Sequence, residues 1–254
     1  MSGSPTVLLL RLDRLDPESG LFASFADPPR VPLLRFAPLP IRGPSILKAI
    51  GALDENAARL LLRFRKRFPK VYEAVEAIGA GLPDGEERSL FFFLSVCSIA
   101  LQIEEADVRE AASVPSGVQV DYTLFQDGEQ WFVDTRTTLR SLWSYRLAEV
   151  PTALLLHSLF ASLGETLGTF AGRCGELLQT RTLRLSGDLP ANPFLQRGLR
   201  RGLPRTFAVE GAAGSEPLSA EEPATAGPSS AGPAPFAPPA APAAEGRAPD
   251  RAED

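Results

Sequence analysis

Residues 118–137 read VQVDYTLFQDGEQWFVDTRT, and apolar and polar side chains alternate there on both sides of Asp127-Gly128. That is the pattern of two half-buried strands. An Asp-Gly pair between such runs favours a two-residue type I′ turn, whose two central positions both take positive φ. With Asp127 and Gly128 in the turn, Leu124 is expected opposite Trp131, Tyr122 opposite Val133 and Val120 opposite Thr135. Side chains alternate along a strand with a period of two, so Val118, Val120, Tyr122, Leu124, Trp131 and Val133 make the expected core face. The same register sets Asp121 directly across from Asp134 on the other face.

Upstream of the hairpin, TVLLLRL (Thr6–Leu12) is short, apolar and bounded by Pro5 and the polar DRLDPESG, which fits a buried strand. Residues 27–44 are dense in proline, so Val31–Ile41 is expected to be an edge strand or an extended connector. Asp54 is a suitable N-cap for ENAARLLLRFRKRF, which Pro69 stops, and a second helical stretch, Lys70–Ile78, ends at Gly79 and Gly81. A further helix is expected from Pro83/Asp84. It is apolar on every side through Leu90–Ile99 and therefore buried on every side.

Downstream, Leu139–Leu147 reads as a short helix. From Pro151, Leu156, Leu159, Phe160, Leu163, Leu167, Phe170 and Cys174 recur at helical spacing. Gly164, Gly168 and Gly172 stand at every fourth position of that helix. Such a stripe admits a close neighbour, either another helix of the same domain or a second subunit in a homo-oligomer, and it raises the chance of a break near Gly164. Thr180–Leu185 reads as a strand, and PANPFLQRGLRRGLPRTF after it as irregular with a basic cluster. Helices dominate and strands do not alternate regularly with them, so the expected class is α+β: a helix-rich domain with a β-hairpin and a few further strands.

The domain is expected to end at residue 207. From Ala208 to Asp254 nearly every residue is Ala, Pro, Gly, Ser, Thr or Glu, with Val209, Leu218 and Phe236 the only large apolar side chains. Such a stretch cannot offset an ordering cost of about 1–2 kcal/mol per residue, so 208–254 reads as a disordered acidic tail. It carries eight carboxylates against Arg247 and Arg251, while the whole chain has a formal net charge of −5, so the first 207 residues are close to neutral.

Composition excludes several classes. The chain has two cysteines, Cys97 and Cys174, and one histidine, His157, with no Cys/His spacing for zinc. No glycine-rich phosphate loop is present, so no cofactor is implied. The N-terminus does not read as a signal peptide, and the run Ser89–Ile103 is shorter than the ~20 residues of a membrane span. The expected location is cytoplasmic, with no transmembrane segment.

Three features invite a functional reading. Asp121 and Asp134 would repel each other across the hairpin, so they either hold a divalent metal or share a proton, or form a solvated face bridged by Arg136. Two basic clusters, 59–70 with Arg59, Arg63 and Arg67, and 197–205 with Arg197, Arg200 and Arg201, suit phosphates, nucleic acid or an anionic surface. His157 beside Ser158 reads as a buried helix histidine, because adjacency in sequence does not make a catalytic pair. With no catalytic motif, the resulting reading is a non-enzymatic interaction or regulatory protein, an adaptor whose domain binds another protein and whose tail is a flexible tether. A nucleic-acid or anionic-surface binder is the alternative, and an enzyme with a carboxylate site at Asp121/Asp134 the second alternative. Limited proteolysis is expected to trim the chain to about residue 208 and leave a core with a nearly unchanged melting temperature; a drop of more than a few degrees on trimming would show that the tail packs.

Overall fold

β1 (Val7–Arg11) is buried at its first four residues, as expected of a strand covered on both faces in the interior of a sheet. In a computed structural model, which describes residues 7–25 and 30–211, it lies there. β1 pairs antiparallel with β2 (Gly20–Ser24), and β2 with β3 (Val31–Phe36). The chain then passes through a two-residue strand β4 (Leu39–Pro40), helices α1 (Gly43–Gly51), α2 (Glu55–Arg67) and α3 (Pro69–Glu76), a second short strand β5 (Glu86–Glu87), and helices α4 (Leu90–Leu101) and α5 (Glu105–Ala111). It re-enters the sheet at the hairpin β6 (Leu124–Asp127) and β7 (Gln130–Val133). From there α6 (Thr135–Leu147) and α7 (Thr152–Leu178) lead to β8 (Thr182–Ser186), and α8 (Pro193–Gly202) leads to β9 (Ala208–Glu210). The sheet order is β6-β7-β3-β2-β1-β8-β9, with β4 and β5 paired separately. β7 runs parallel to β3, β8 to β1 and β9 to β8. The fold is α+β.

One face of this sheet carries the core. Leu185, Leu10, Leu21, Leu34 and Trp131 stand in register across five adjacent strands, and Trp131 packs on Phe170 of α7 with ring centroids 5.8 Å apart. All eight α-helices of the described residues contribute side chains to the same cluster, whereas Val7, Leu9 and Phe22 on the other face are buried outside it. That other face also bears the ion pairs Arg35–Glu18 and Arg184–Glu210 and the stacked Phe125–Phe132 pair.

Several elements depart from the sequence reading. The hairpin turns at Gly128-Glu129, not at Asp127-Gly128, because Asp127 pairs with Gln130. Gly128 has φ +59 and Glu129 is not among the positive-φ residues, the sign pattern of a type II′ turn. Leu124 therefore faces Val133 rather than Trp131. The slip is by two residues, so Leu124, Trp131 and Val133 keep a common face. β3 is not an edge strand: it lies between β2 and β7, and Pro32 is accommodated beside a register shift at Leu21/Phe22. β2, α1 and α5 are elements the sequence reading lacked, and the stretch read as irregular after β8 contains α8, capped by Asn192, whose side chain accepts from the N–H groups of Phe194 and Leu195. α4 starts at Leu90 behind the N-cap Ser89, and Pro83–Glu87 precedes it as a turn and β5. β9 carries the sheet three residues past the expected boundary at 207, pairing with β8. Residues 212–254, on which the disordered-tail reading falls, lie outside the described residues.

α7 runs unbroken through its glycines. A Cβ on Gly164 would fall 2.1 Å from the Leu195 carbonyl oxygen and one on Gly168 2.6 Å from that of Leu199. Gly198 and Gly202 of α8 face the carbonyls of Ala161 and Glu165 as closely. The stripe offered to a second subunit is thus covered by α8 at Gly164 and Gly168 and by Pro204, just beyond it, at Gly172. Gly164→Ala is expected to lower the melting temperature by several degrees: its gain of about 1 kcal/mol in helix propensity is outweighed by roughly 1–3 kcal/mol of overpacking against backbone. A thermal melt showing a rise would refute the close-approach argument.

Candidate functional site

α2 and α6 are locked together at two points. Asp54 accepts the Ala57 N–H at 2.8 Å, which caps α2 and draws the Asp54 carboxyl below its ordinary pKa, and it also pairs with Arg140 of α6. Phe64 of α2 stacks on the buried Trp143 of α6, centroids 5.1 Å apart. Where the two helices diverge, Asn56, Arg59, Leu60, Arg63, Ser144 and Leu147 line a cleft of about 340 Å³. Its floor is aliphatic and its rim holds two guanidinium groups, an amide and a hydroxyl. Arg59 makes an exposed pair with Glu55 at 3.2 Å, and Arg63 has no partner among the described residues. Arg67, the third arginine of this cluster, is turned to Glu149 at 2.6 Å and is not part of the lining.

The second basic cluster is held elsewhere. Arg197, Arg200 and Arg201 are exposed on α8, which packs on α7 and the 3-10 turn Leu189–Ala191, whereas α2 packs on α1, α3 and α6. Arg197 and Arg201 act on His157, which is fully buried, meets Phe194 edge-on and has no partner for either ring nitrogen among the described residues. Burial first, then these two cations, depress its pKa.

Asp121 and Asp134 do not face each other, so the cross-strand carboxylate pair is a misreading of register. Asp134 is paired through its N–H with the carbonyl of Thr123, caps α6, and accepts from Arg136 Nε at 2.9 Å and Thr137 Oγ1 at 3.1 Å. That pairing raises the Arg136 pKa. Asp121 is exposed, its N–H donating to Ser141 Oγ at 3.2 Å. Among the described residues no three His, Cys, Asp or Glu groups gather to hold a metal ion. At the carboxyl ends of β1 and β8, where open α/β sheets commonly bind ligands, Asp188 accepts from the Arg14 N–H and side chain, and Asp13 accepts from the Leu15 N–H.

Residues 118–122 alternate like a strand yet form no ladder. Val118 and Val120 donate their N–H groups to Ser158 Oγ and Ser162 Oγ, at 2.9 and 3.0 Å, one turn apart on α7. Tyr145 donates to the Gln119 carbonyl at 2.7 Å, and the buried Tyr122 hydroxyl to the Leu159 carbonyl at 2.8 Å. Serines replace the partner strand. The buried hydroxyls of α7 had to be counted as backbone partners for this to be foreseen.

No family model matches the chain, and no curated protein matches it. Among solved structures the chain is similar to HypF. The T. kodakarensis protein is 11% identical with a TM-score of 0.59, over 81% of this chain and 31% of that one. A full-length HypF in a phosphate- and nucleotide-bound form is 12% identical with a TM-score of 0.61, over 82% of this chain and 30% of that one. The likeness is one of fold, and the chain spans about a third of the length of the HypF chains it matches. This likeness of fold stands against the expectation of a non-enzymatic adaptor. No helix of the described residues is long and apolar enough to cross a membrane.

The pKa of His157 yields a pH dependence. A base whose pKa is depressed on folding stabilises the native state above its unfolded pKa of about 6.5, and that contribution is lost as pH falls from there through the folded pKa. Below pH 6.5 stability is expected to fall by up to about 1.4 kcal/mol per pH unit from this group, and His157→Leu should flatten that limb in denaturant titrations. An unchanged slope in the variant would show that His157 protonates freely in the fold.

Proposed function

We propose that the α2/α6 cleft binds a small phosphate-bearing ligand in this enzyme-related fold. The observation that carries the reading is the pair of guanidiniums, Arg59 and Arg63, one turn apart over an aliphatic floor, with the Asn56 amide and Ser144 hydroxyl beside them. Planar guanidinium groups match phosphate oxygens two at a time and keep their charge at any physiological pH. The Arg59–Glu55 pair is exposed, and such pairs contribute only about 0–1 kcal/mol, so an incoming phosphate displaces it at small cost. Asn56 and Arg59 also lie in the first two turns of α2, where the helix field favours an anion. At about 340 Å³ the cleft is near the small end of ligand sites and suits a phosphomonoester better than a dinucleotide. A HypF structure carrying phosphate and nucleotide supports looking for this ligand class on this fold. A reducing, cytoplasmic setting accords with the two free cysteines, of which Cys97 is buried and Cys174 is pushed up to about 11 by burial.

The test is a thermal melt at low ionic strength with inorganic phosphate, AMP and ADP, followed by calorimetry. A ligand at about 100 times its Kd stabilises the native state by about 2.7 kcal/mol, which reads as a rise of several degrees. The rise should weaken with added salt and disappear in Arg59→Gln/Arg63→Gln, with the ligand-free melt unchanged because both side chains are exposed. No rise with any of the three, or a rise that survives the double substitution, would reject the cleft.

A further inference from the structure

A second cleft, of about 270 Å³, opens where residues 119–124 leave α7, and it continues a pattern already occupied. Ser158, Ser162 and Thr166 lie at i, i+4 and i+8 on one face of α7. The first two hydroxyls receive the N–H groups of Val118 and Val120. After Tyr122 the chain turns away, since Thr123 is paired with Asp134. Thr166 and Thr169 then line the open cleft, and neither hydroxyl has a partner among the described residues. The other wall includes Leu124, on the end strand of the sheet. Thr123 bonds toward β7, and in an antiparallel pair successive residues alternate, so the N–H and C=O of Leu124 and Gln126 point to the open edge. Phe170 contributes an apolar surface between Glu165 at one end and Arg173 at the other, and neither charge is paired among the described residues.

We infer that this cleft takes an extended peptide segment of a partner protein, seated as residues 118–122 are: backbone N–H groups on α7 hydroxyls and backbone groups on the β6 edge. Glu165 and Arg173 are separated by about 12 Å along the helix, the span of about four extended residues. The recognised segment therefore carries a basic residue, an apolar residue two positions on and an acidic residue two further, because alternate side chains of a strand share one side. The inference does not depend on the phosphate cleft, which lies on other helices.

The probe is a fluorescein-labelled peptide Lys-Thr-Val-Thr-Glu, titrated with the full chain at low salt and followed by anisotropy. Saturable binding is expected. A version N-methylated at the Val and second Thr amides should bind at least about tenfold more weakly, having lost its donors. Glu165→Lys/Arg173→Glu should reverse the preference toward Glu-Thr-Val-Thr-Lys while melting as the wild type does. No approach to saturation by about 1 mM protein, where even a weak specific site is substantially filled, would overturn the inference, as would equal binding of the N-methylated peptide or an unreversed charge preference in a normally melting double variant. Displacement of the probe by a synthetic peptide of residues 212–254 would assign the cleft to the chain's own tail and likewise overturn the partner assignment.

Discussion

α7 and α8 approach until the backbone of each touches the other, and the remaining architecture is arranged around that contact. Glycines on both helices, Gly164 and Gly168 on one and Gly198 and Gly202 on the other, leave room only for the backbone of the opposing segment, its carbonyl oxygens nearest. With α8 seated on this side, a second side of α7 presents Ser158 and Ser162 to residues 118–122, and Phe170 meets Trp131 on the sheet. Each seat meets a separate physical requirement: van der Waals contact without a Cβ, a donor–acceptor match for a buried backbone, and apolar burial. One 27-residue helix thus positions α8, the segment leading into the hairpin and the end of the sheet.

Around the strands carboxylates are answered by arginines, whereas on the helices some arginines are left without a carboxylate. Asp16, Glu18, Asp188 and Glu210, around the strands, each meet an arginine. Those pairs are partly exposed and contribute little stability individually, but they fill the carboxyl-end crevice of the sheet with neutralised groups. Arg63, one of several cations without an ion-pair partner among the described residues, lies on α2 instead, beside the easily released Arg59. The anion site proposed above lies on the helical layer rather than at the strand ends, in accord with that distribution. The likeness to HypF supplies the fold and leaves the chemistry to the residues this chain carries.

Local signals were legible where a side chain and its own neighbours settle the outcome. Asp54 as the cap of α2, the stop at Pro69, the apolar α4 (though not buried on every side, since Phe91 is exposed) and the presence of a hairpin near Gly128 each depend on a few adjacent residues, and each is present. The basic cluster of α2 was also legible, because charges at helical spacing on a capped helix have one exposed side. That Arg63 and Arg59 line a cleft while Arg67 does not was hidden, since it depends on where α6 crosses and on Glu149 beyond it.

By itself, then, the sequence determined the α+β class, the amphipathic helices and the common face of Leu124, Trp131 and Val133, because these follow from side-chain periodicity and from caps within a few residues. Tertiary structure decided the rest. Two-residue periodicity says which face a residue takes but not which residue it meets, so a slip of two placed Asp134 opposite Thr123 and dissolved the carboxylate pair with Asp121. Alternation at Val118–Tyr122 is common to a strand and to any extended segment whose backbone is satisfied from one side. Only the arrival of Ser158 and Ser162, forty and more positions away, decided between them. Whether Gly164, Gly168 and Gly172 admit a second subunit or a helix of the same chain is likewise undetermined by spacing. It was decided by α8, whose glycines let it close on Gly164 and Gly168, and by Pro204, which covers Gly172.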